Sequence, residues 1–267
     1  MTAFAATARY ELWMQLRKPA IWIATALPFA LYALFAVLGT DSTGLQRYRY
    51  ETSPKVWMVD ALGWFTPVLP MIFGIVLADR LVRDRKLGVA ELLDSTPANP
   101  GTRLVGKYLG ACAATAIPVA LLYVVVALGF MVWRGQPAAL WWGLATFMVI
   151  VLPLLLLAGS LSFLGPQLMP TPLFRVLIVA LFFWAAATEV ESEFPSFAGT
   201  VFSLTMDYPL RVFFDSPNAT PGPAGVALDF LRPRPTTGTA LLSLALILGL
   251  AAAILAAARA LNARTGE

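Results

Sequence analysis

Long apolar runs, separated by short polar stretches, are the dominant pattern of this 267-residue chain. A helix needs about 20 apolar residues to cross the hydrocarbon core of a bilayer. The pattern therefore predicts an all-α polytopic membrane protein, in one domain over residues 1–267, with six transmembrane helices. Their approximate ranges are 20–39, 59–79, 108–132, 140–164, 173–190 and 239–258.

The N-terminal residues 1–18 differ from these runs. Phe4, Ala8, Leu12 and Leu16 recur at helical spacing, and Trp13 is available as an interfacial anchor. We expect an interfacial helix that lies on the cytosolic leaflet. A disordered terminus is the alternative.

The segment 191–238 is predicted to be an outer segment, although its stretch 194–214 is apolar enough to suggest a seventh span. Asp207 and Arg211 oppose that interpretation, because a charged residue in the middle of a membrane costs roughly 2.5–3.5 kcal/mol on insertion scales. We expect short helices that enter the outer leaflet and return. Within the second span, Pro67 and Pro70 predict a kink.

Composition supports the membrane assignment and narrows the function. The chain is 59% hydrophobic and 13% charged, with a mean hydropathy of +0.74, whereas a soluble domain carries about 25% charged residues. The net charge of +4 could indicate a nucleic-acid partner, but the basic residues lie beside apolar runs and form no patch. In the six-span arrangement, twelve basic residues fall inside and seven outside, which predicts cytosolic termini.

Residue types that usually carry chemistry are scarce. The chain has no histidine, and Cys112 is its only cysteine. A disulfide or a thiolate metal site within one chain is thereby excluded, and no metal site is predicted. We interpret Cys112 as a small packing residue.

The polar segment 80–107 lies between the second and third spans and contains six of the nineteen basic residues. The sequence of its residues 88–93 predicts a short amphipathic helical turn. Pro97 ends this turn, because proline lacks an amide donor and disfavours a helical residue before it. The segment thus consists of charged residues, then a short helix, then a proline that ends it. This arrangement fits a docking surface better than a reaction site.

At these residues the chain resembles the permease subunits of ABC-2 type transporters, in which a charged turn leads into a coupling helix and then into a Gly-Lys pair. The resemblance implies an N-terminal elbow helix, a second permease chain (identical or related), a separate cytosolic ATPase subunit and a bacterial cytoplasmic membrane. The alternative is an ordinary positive cytosolic loop. The matching residues are Gly88, Glu91, Leu92, Leu93, Ser95, Thr96, Pro97, Gly106 and Lys107.

The resemblance also implies roles for particular side chains. Leu92 and Leu93 would enter a groove on the ATPase subunit, while Glu91 and the basic residues Arg80, Arg83 and Arg85 would fix its orientation. The alternative is that Leu92 and Leu93 pack onto the membrane surface.

Residues 101–108 come close to a phosphate-binding loop, G-x-x-x-x-G-K-[ST], but we reject that interpretation. Tyr108 replaces the hydroxyl residue that binds magnesium, and no apolar strand precedes Gly101. We therefore expect no cofactor in this chain, with ATP and Mg²⁺ bound by the partner ATPase. The spacing of Gly106 and Gly110 predicts close helix packing.

Glu189, Glu191 and Glu193 lie at the outer end of the fifth span and could line an outer substrate pathway. The alternative is a solvated helix end, and Asp60 has the same ambiguity. Two other functions stay open: an integral-membrane enzyme that acts on lipid-linked substrates, and a membrane anchor that recruits a cytosolic partner without transport.

Overall fold

The described part of the computed structural model comprises residues 3–38, 53–63, 65–80, 99–187, 197–222 and 229–265, and no strand occurs within those ranges. A short 3-10 helix covers Asp229–Leu231. The helices are α1 Ala3–Leu16, α2 Pro19–Leu38, α3 Pro54–Gly63, α4 Phe65–Leu77, α5 Pro100–Arg134, α6 Ala138–Leu168, α7 Thr171–Ala187, α8 Asp207–Phe214 and α9 Thr237–Thr265.

Among the described residues, three helices are long and apolar enough to cross a membrane: Gly101–Arg134, Ala138–Leu168 and Thr237–Asn262. A fourth crossing is present if α3 and α4 form one broken span. The chain is therefore a helical, multi-pass membrane protein. The two other predicted spans correspond to shorter apolar helices over Pro19–Leu31 and Thr171–Ala185.

The kink predicted in the second span is present. The axes of α3 and α4 differ by 43°. Pro67 explains the position of the bend, because its ring nitrogen has no hydrogen for the carbonyl of Gly63 four residues earlier.

Helix α6 occupies the centre of the bundle. Its most apolar window is 67% buried, compared with 33% for α5 and 22% for α9, and it packs against α4, α5 and α9. Phe147–Val151 forms a π-helical turn within α6. Pro153 follows that turn and has no amide to return to the preceding carbonyls, which favours the wider helix.

Two predicted boundaries are wrong. The fourth span was predicted to end near residue 164, but α6 continues to Leu168, and the chain leaves the helix at Met169, which is extended. Gln167 supports this last turn by donating from Nε2 to the carbonyl of Phe163 at 2.7 Å. A proline inside the final helical turn thus did not end the helix.

The polar segment predicted over residues 80–107 is also shorter than that range, because residues 100–107 already belong to α5. Asn99 caps this helix by accepting a hydrogen bond from the Gly101 amide at 2.9 Å, and Pro100 occupies the first helical position. Both residues are favoured at a helix start.

Segment 191–238, the predicted outer segment, is described over residues 197–222 and 229–238. These residues contain turns, helix α8, a 3-10 helix and the start of α9. Helix α8 has eight residues and a length of about 12 Å, far below the ~30 Å of a hydrocarbon core, and it packs against α9 and α3. A short helix is therefore present as predicted, and no helix between residues 197 and 222 is long enough to cross a membrane.

Candidate functional site

The predicted site residues fall outside the described residues of the structure. Arg83, Arg85, Gly88, Glu91, Leu92, Leu93, Ser95, Thr96 and Pro97 belong to residues 81–98, and Glu189, Glu191 and Glu193 belong to residues 188–196. The structure does describe Arg80 and Asn99, the two residues that join segment 81–98 to the bundle.

Arg80 is held by a buried ion pair with Glu11 of α1. Its Nε atom donates to Glu11 Oε1 at 2.9 Å, and its Nη2 atom contacts the same oxygen. Gln15, one turn further along α1, also donates to Oε1 at 2.9 Å. The side chains of Arg80 and Glu11 are only 11% and 7% exposed. Arg80, the residue that precedes segment 81–98, is therefore fixed to α1.

Helix α1 also packs directly against the first half of α5, the helix that follows segment 81–98 in the chain. A Cβ atom at Gly110 would meet the carbonyl oxygen of Ala8 at 2.5 Å, and one at Gly106 would lie 3.1 Å from the carbonyl oxygen of Phe4. The close packing predicted from these glycines is confirmed, and the partner is α1. Both attachments of segment 81–98 thus contact one helix.

The exposed side of α1 carries Trp13 and Tyr10, at 55% and 70% exposure, while Glu11 and Gln15 face the bundle. Sequence analysis did not predict that these two polar residues are buried. A carboxylate followed four residues later by an amide was the available signal, because such a pair shares one helix face.

Two further contacts tie this region, which we call the Arg80 end, to other helices. Asp79 forms an exposed ion pair with Arg175 at the start of α7. The Arg259 side chain of α9 lies where a Cβ atom of Gly101 would be, with Nε at 2.4 Å from that position. Helices α1, α4, α5, α7 and α9 therefore meet around the attachments of segment 81–98.

Charge is distributed unevenly between the two ends of the bundle. Among side chains that the structure describes, the Arg80 end has eight basic and two acidic residues. The basic ones are Arg9, Arg17, Lys18, Arg80, Arg103, Lys107, Arg175 and Arg259, and the acidic ones are Glu11 and Asp79. The opposite end has five basic residues (Lys55, Arg134, Arg211, Arg232, Arg234) and four acidic ones (Asp60, Asp207, Asp215, Asp229).

At that opposite end, which we call the Asp60 end, Asp60 is buried and accepts a hydrogen bond from Ser216 Oγ at 3.0 Å. Lys55 pairs with Asp215 and lies 5.2 Å from the ring centre of Trp142. Asp60 is thus no solvated helix end. It attaches the outer segment to α3.

The outer segment is organised around Asp207. Its Oδ2 atom accepts hydrogen bonds from the Gly199 amide at 2.9 Å, from Ser203 Oγ at 2.5 Å and from Thr205 Oγ1 at 2.7 Å. Sequence analysis treated Asp207 only as an obstacle to membrane insertion. The alternation of hydroxyl residues at 203 and 205 before an aspartate was the missed signal, since such side chains bond to neighbouring turn groups.

Tyr208 and Arg232 complete this outer unit. The Tyr208 hydroxyl donates to the carbonyl of Pro233 at 2.6 Å, and Arg232 Nη2 donates to the carbonyl of Ala198 at 2.9 Å. Burial raises the pKa of Tyr208 to about 12, while the nearby Arg232 acts in the opposite direction.

The polar side chains described above can position helices and transmit a displacement from one helix to another, but they do not form a recognisable reaction site. Across the ranges given above, no three of the His, Cys, Asp and Glu residues lie together as a metal site would require. Residues 101–108 form regular helix, so their amides do not cradle a phosphate. Comparison with protein-family models, curated proteins and solved structures finds no match for the chain.

Proposed function

We propose that the chain is the permease subunit of an ABC-2 type exporter with six membrane spans. Two permease chains, identical or related, enclose a substrate pathway in a bacterial cytoplasmic membrane. Separate cytosolic ATPase subunits bind ATP and Mg²⁺ and dock on residues 88–97. The Arg80 end and both termini face the cytosol.

One observation carries this proposal: the two described elements that segment 81–98 connects are both fixed to α1. Arg80 is held by Glu11, and α5 is held through its contact at Gly110. A docking segment can drive a membrane domain only if its attachments are firm. A displacement of this segment would pass directly to α4 and α5.

The charge distribution supports the orientation. Eight described basic side chains against two acidic ones at the Arg80 end agree with the excess of basic residues on the cytosolic side of membrane proteins. An ATPase approaching from the cytosol would meet that end.

The mechanism requires that the ATPase contacts two arrangements of the coupling helices with different affinity. The ATP-bound ATPase must favour one arrangement of the coupling helices over another, because a partner with equal affinity for both arrangements shifts no equilibrium. Leu92 and Leu93 supply the apolar contact. Glu91, Arg83 and Arg85 set the orientation through charge. This chain transmits the movement and forms the substrate pathway, while ATP hydrolysis takes place in the partner subunit.

Affinity purification tests the proposal. The chain, tagged at its C-terminus through a linker, is purified from native membranes in mild detergent, and stoichiometric partners are identified by mass spectrometry. We expect a soluble ATPase that is lost in the double variant Leu92→Asp and Leu93→Asp. The matched control, Thr265→Asp with Gly266→Asp, adds the same charge outside the segment and should retain the ATPase.

Two results would overturn the proposal. One is the absence of any ATPase under conditions that preserve other membrane complexes. The other is equal loss in both double variants, which would show a general effect of charge. If an ATPase binds but its hydrolysis does not respond to candidate substrates, the chain is an anchor and not a transporter.

A further inference from the structure

One fully buried hydroxyl of the bundle has no partner among the residues that the structure describes. Tyr123 of α5 has no solvent exposure, and its hydroxyl makes no hydrogen bond to any of them. An unsatisfied buried donor costs about 1–3 kcal/mol relative to a bonded one. Proteins satisfy most such groups, so each exception calls for an explanation.

The Tyr123 ring lies among other aromatic side chains. The Tyr123 ring meets Phe29 of α2 edge to face, with ring centres 6.2 Å apart, and Phe147 of α6 at 5.9 Å. Phe29 in turn stacks on Phe65 of α4 at 3.7 Å. Aromatic and apolar walls with a single polar group are typical of small-molecule sites in proteins.

Each of the three phenylalanines stands at an irregularity of its own helix. Phe29 directly follows Pro28 within α2. Phe65 is the first residue of α4, after the 43° bend. Phe147 begins the π-helical turn of α6. The bend before α4 and the π-helical turn of α6 thus both lie at this aromatic cluster, and π-helical turns in particular occur often at functional sites.

We propose that Tyr123, Phe29, Phe65 and Phe147 form a binding site for an uncharged aromatic molecule that carries one hydrogen-bond acceptor. The acceptor takes the hydroxyl proton of Tyr123 in a hydrogen bond, and the aromatic body packs against the phenyl rings. The apolar setting excludes a charged ligand, since an unpaired charge is strongly disfavoured there. Because these four side chains are at most 8% exposed, the ligand enters only if the phenyl rings separate.

This site lies within one chain and does not rest on the proposed transport function. Its test uses the purified full-length protein in detergent without an ATPase, so either proposal can fail without the other. Benzophenone is the probe, because it is an apolar aromatic ketone and attaches to nearby C–H bonds when illuminated. Mass spectrometry of peptides then locates the attachment.

In the wild-type protein we expect saturable labelling near residues 29, 123 and 147. Tyr123→Phe removes only the unpaired hydroxyl and should fold normally, but half-saturation should need about fivefold more benzophenone, the effect of one ordinary hydrogen bond. A second measurement needs no variant: fluorenone, which has a carbonyl, should compete about fivefold better than fluorene, which has none.

Equal half-saturation in wild type and Tyr123→Phe would overturn the proposal, as would equal competition by fluorenone and fluorene. Both results would indicate that the hydroxyl bonds only to water. Labelling confined to lipid-facing residues such as Val125, which is 61% exposed, would also overturn it.

Discussion

The ion pair between Glu11 and Arg80 offers the sharpest test of the architecture at the Arg80 end. We consider Glu11→Gln, Arg80→Met and the double variant. Each single change keeps most of the side-chain volume and removes one charge. Each leaves the other charge almost fully buried, since the two side chains are only 7% and 11% exposed.

Two opposing effects determine the magnitude. Two unit charges about 3 Å apart attract by about 5–6 kcal/mol at an effective dielectric constant of 20. Desolvating each ion costs several kcal/mol, so the intact pair adds little net stability. Loss of one partner leaves the desolvation cost without the attraction, which typically destabilises by about 3–5 kcal/mol. Some exposure remains at both side chains, so we expect about 3 kcal/mol for each single variant.

The double variant should therefore be more stable than either single variant, because no charge is left buried alone. The free energy of unfolding is measured by SDS titration of the protein in mixed micelles, and the four proteins form a double-mutant cycle. Asp79 and Arg175 supply the matched control at the same end. Their side chains are 53% and 40% exposed, so the corresponding changes should cost about 0–1 kcal/mol.

An additive cycle for Glu11 and Arg80 would contradict this reasoning. So would single variants that are no less stable than Asp79→Asn. In either case α1 would not be fixed to Arg80 through charge, and the firm attachment of segment 81–98 would lose its main support.

Three further predictions follow from other parts of the bundle. Gly110→Ala should destabilise the protein because its new Cβ atom meets the main chain of α1 at 2.5 Å, whereas Gly129→Ala, with nothing within 4 Å, should be neutral or gain up to about 1 kcal/mol in the same titration. Equal effects would refute the close contact. The pKa of Tyr208 is raised to about 12 in the folded state, so its stabilising contribution is complete below about pH 10 and is lost as the pH rises to about 12. Unfolding of Tyr208→Phe at several pH values should show a smaller loss over that interval, and an unchanged slope would refute it. Finally, in a cysteine-free background, a membrane-impermeant maleimide should label Thr220→Cys but not Arg17→Cys in intact cells, and the reverse would invert the proposed orientation.

Much of the fold is readable from the sequence because the bilayer imposes a simple length rule. The apolar runs located the helices, and Pro67 located the bend before α4. The exact ends were less predictable. The fourth span was predicted to end near residue 164, yet the helix continues past Pro166, because a proline near the end of a helix removes only one hydrogen bond and Gln167 supplies another contact to the Phe163 carbonyl.

The ion pair of Arg80 and the hydrogen bonds of Asp207 could not be derived from spacing alone. Glu11 and Arg80 are 69 positions apart, so their meeting depends on how α1 packs against α4 and α5. The hydrogen bonds to the Asp207 carboxylate come from a local pattern of hydroxyl residues. That pattern is a weak signal within a stretch of sequence that is mostly apolar. Segment 81–98, which carries the predicted coupling residues, lies outside the described part of the chain, so those residues remain a prediction.

Hydrophobicity did not indicate which face of a helix is buried, and the reason is physical. Lipid is as apolar as the protein core, so large apolar side chains gain little by turning inward. In α5, Leu121 and Val125 point outward, while Ala111, Ala114 and Ala127 are buried. Small residues face inward because they let helices approach, and polar residues such as Glu11 face inward because they need partners. By the same logic, an inward hydroxyl such as that of Tyr123, which has no partner among the described residues, calls for a ligand.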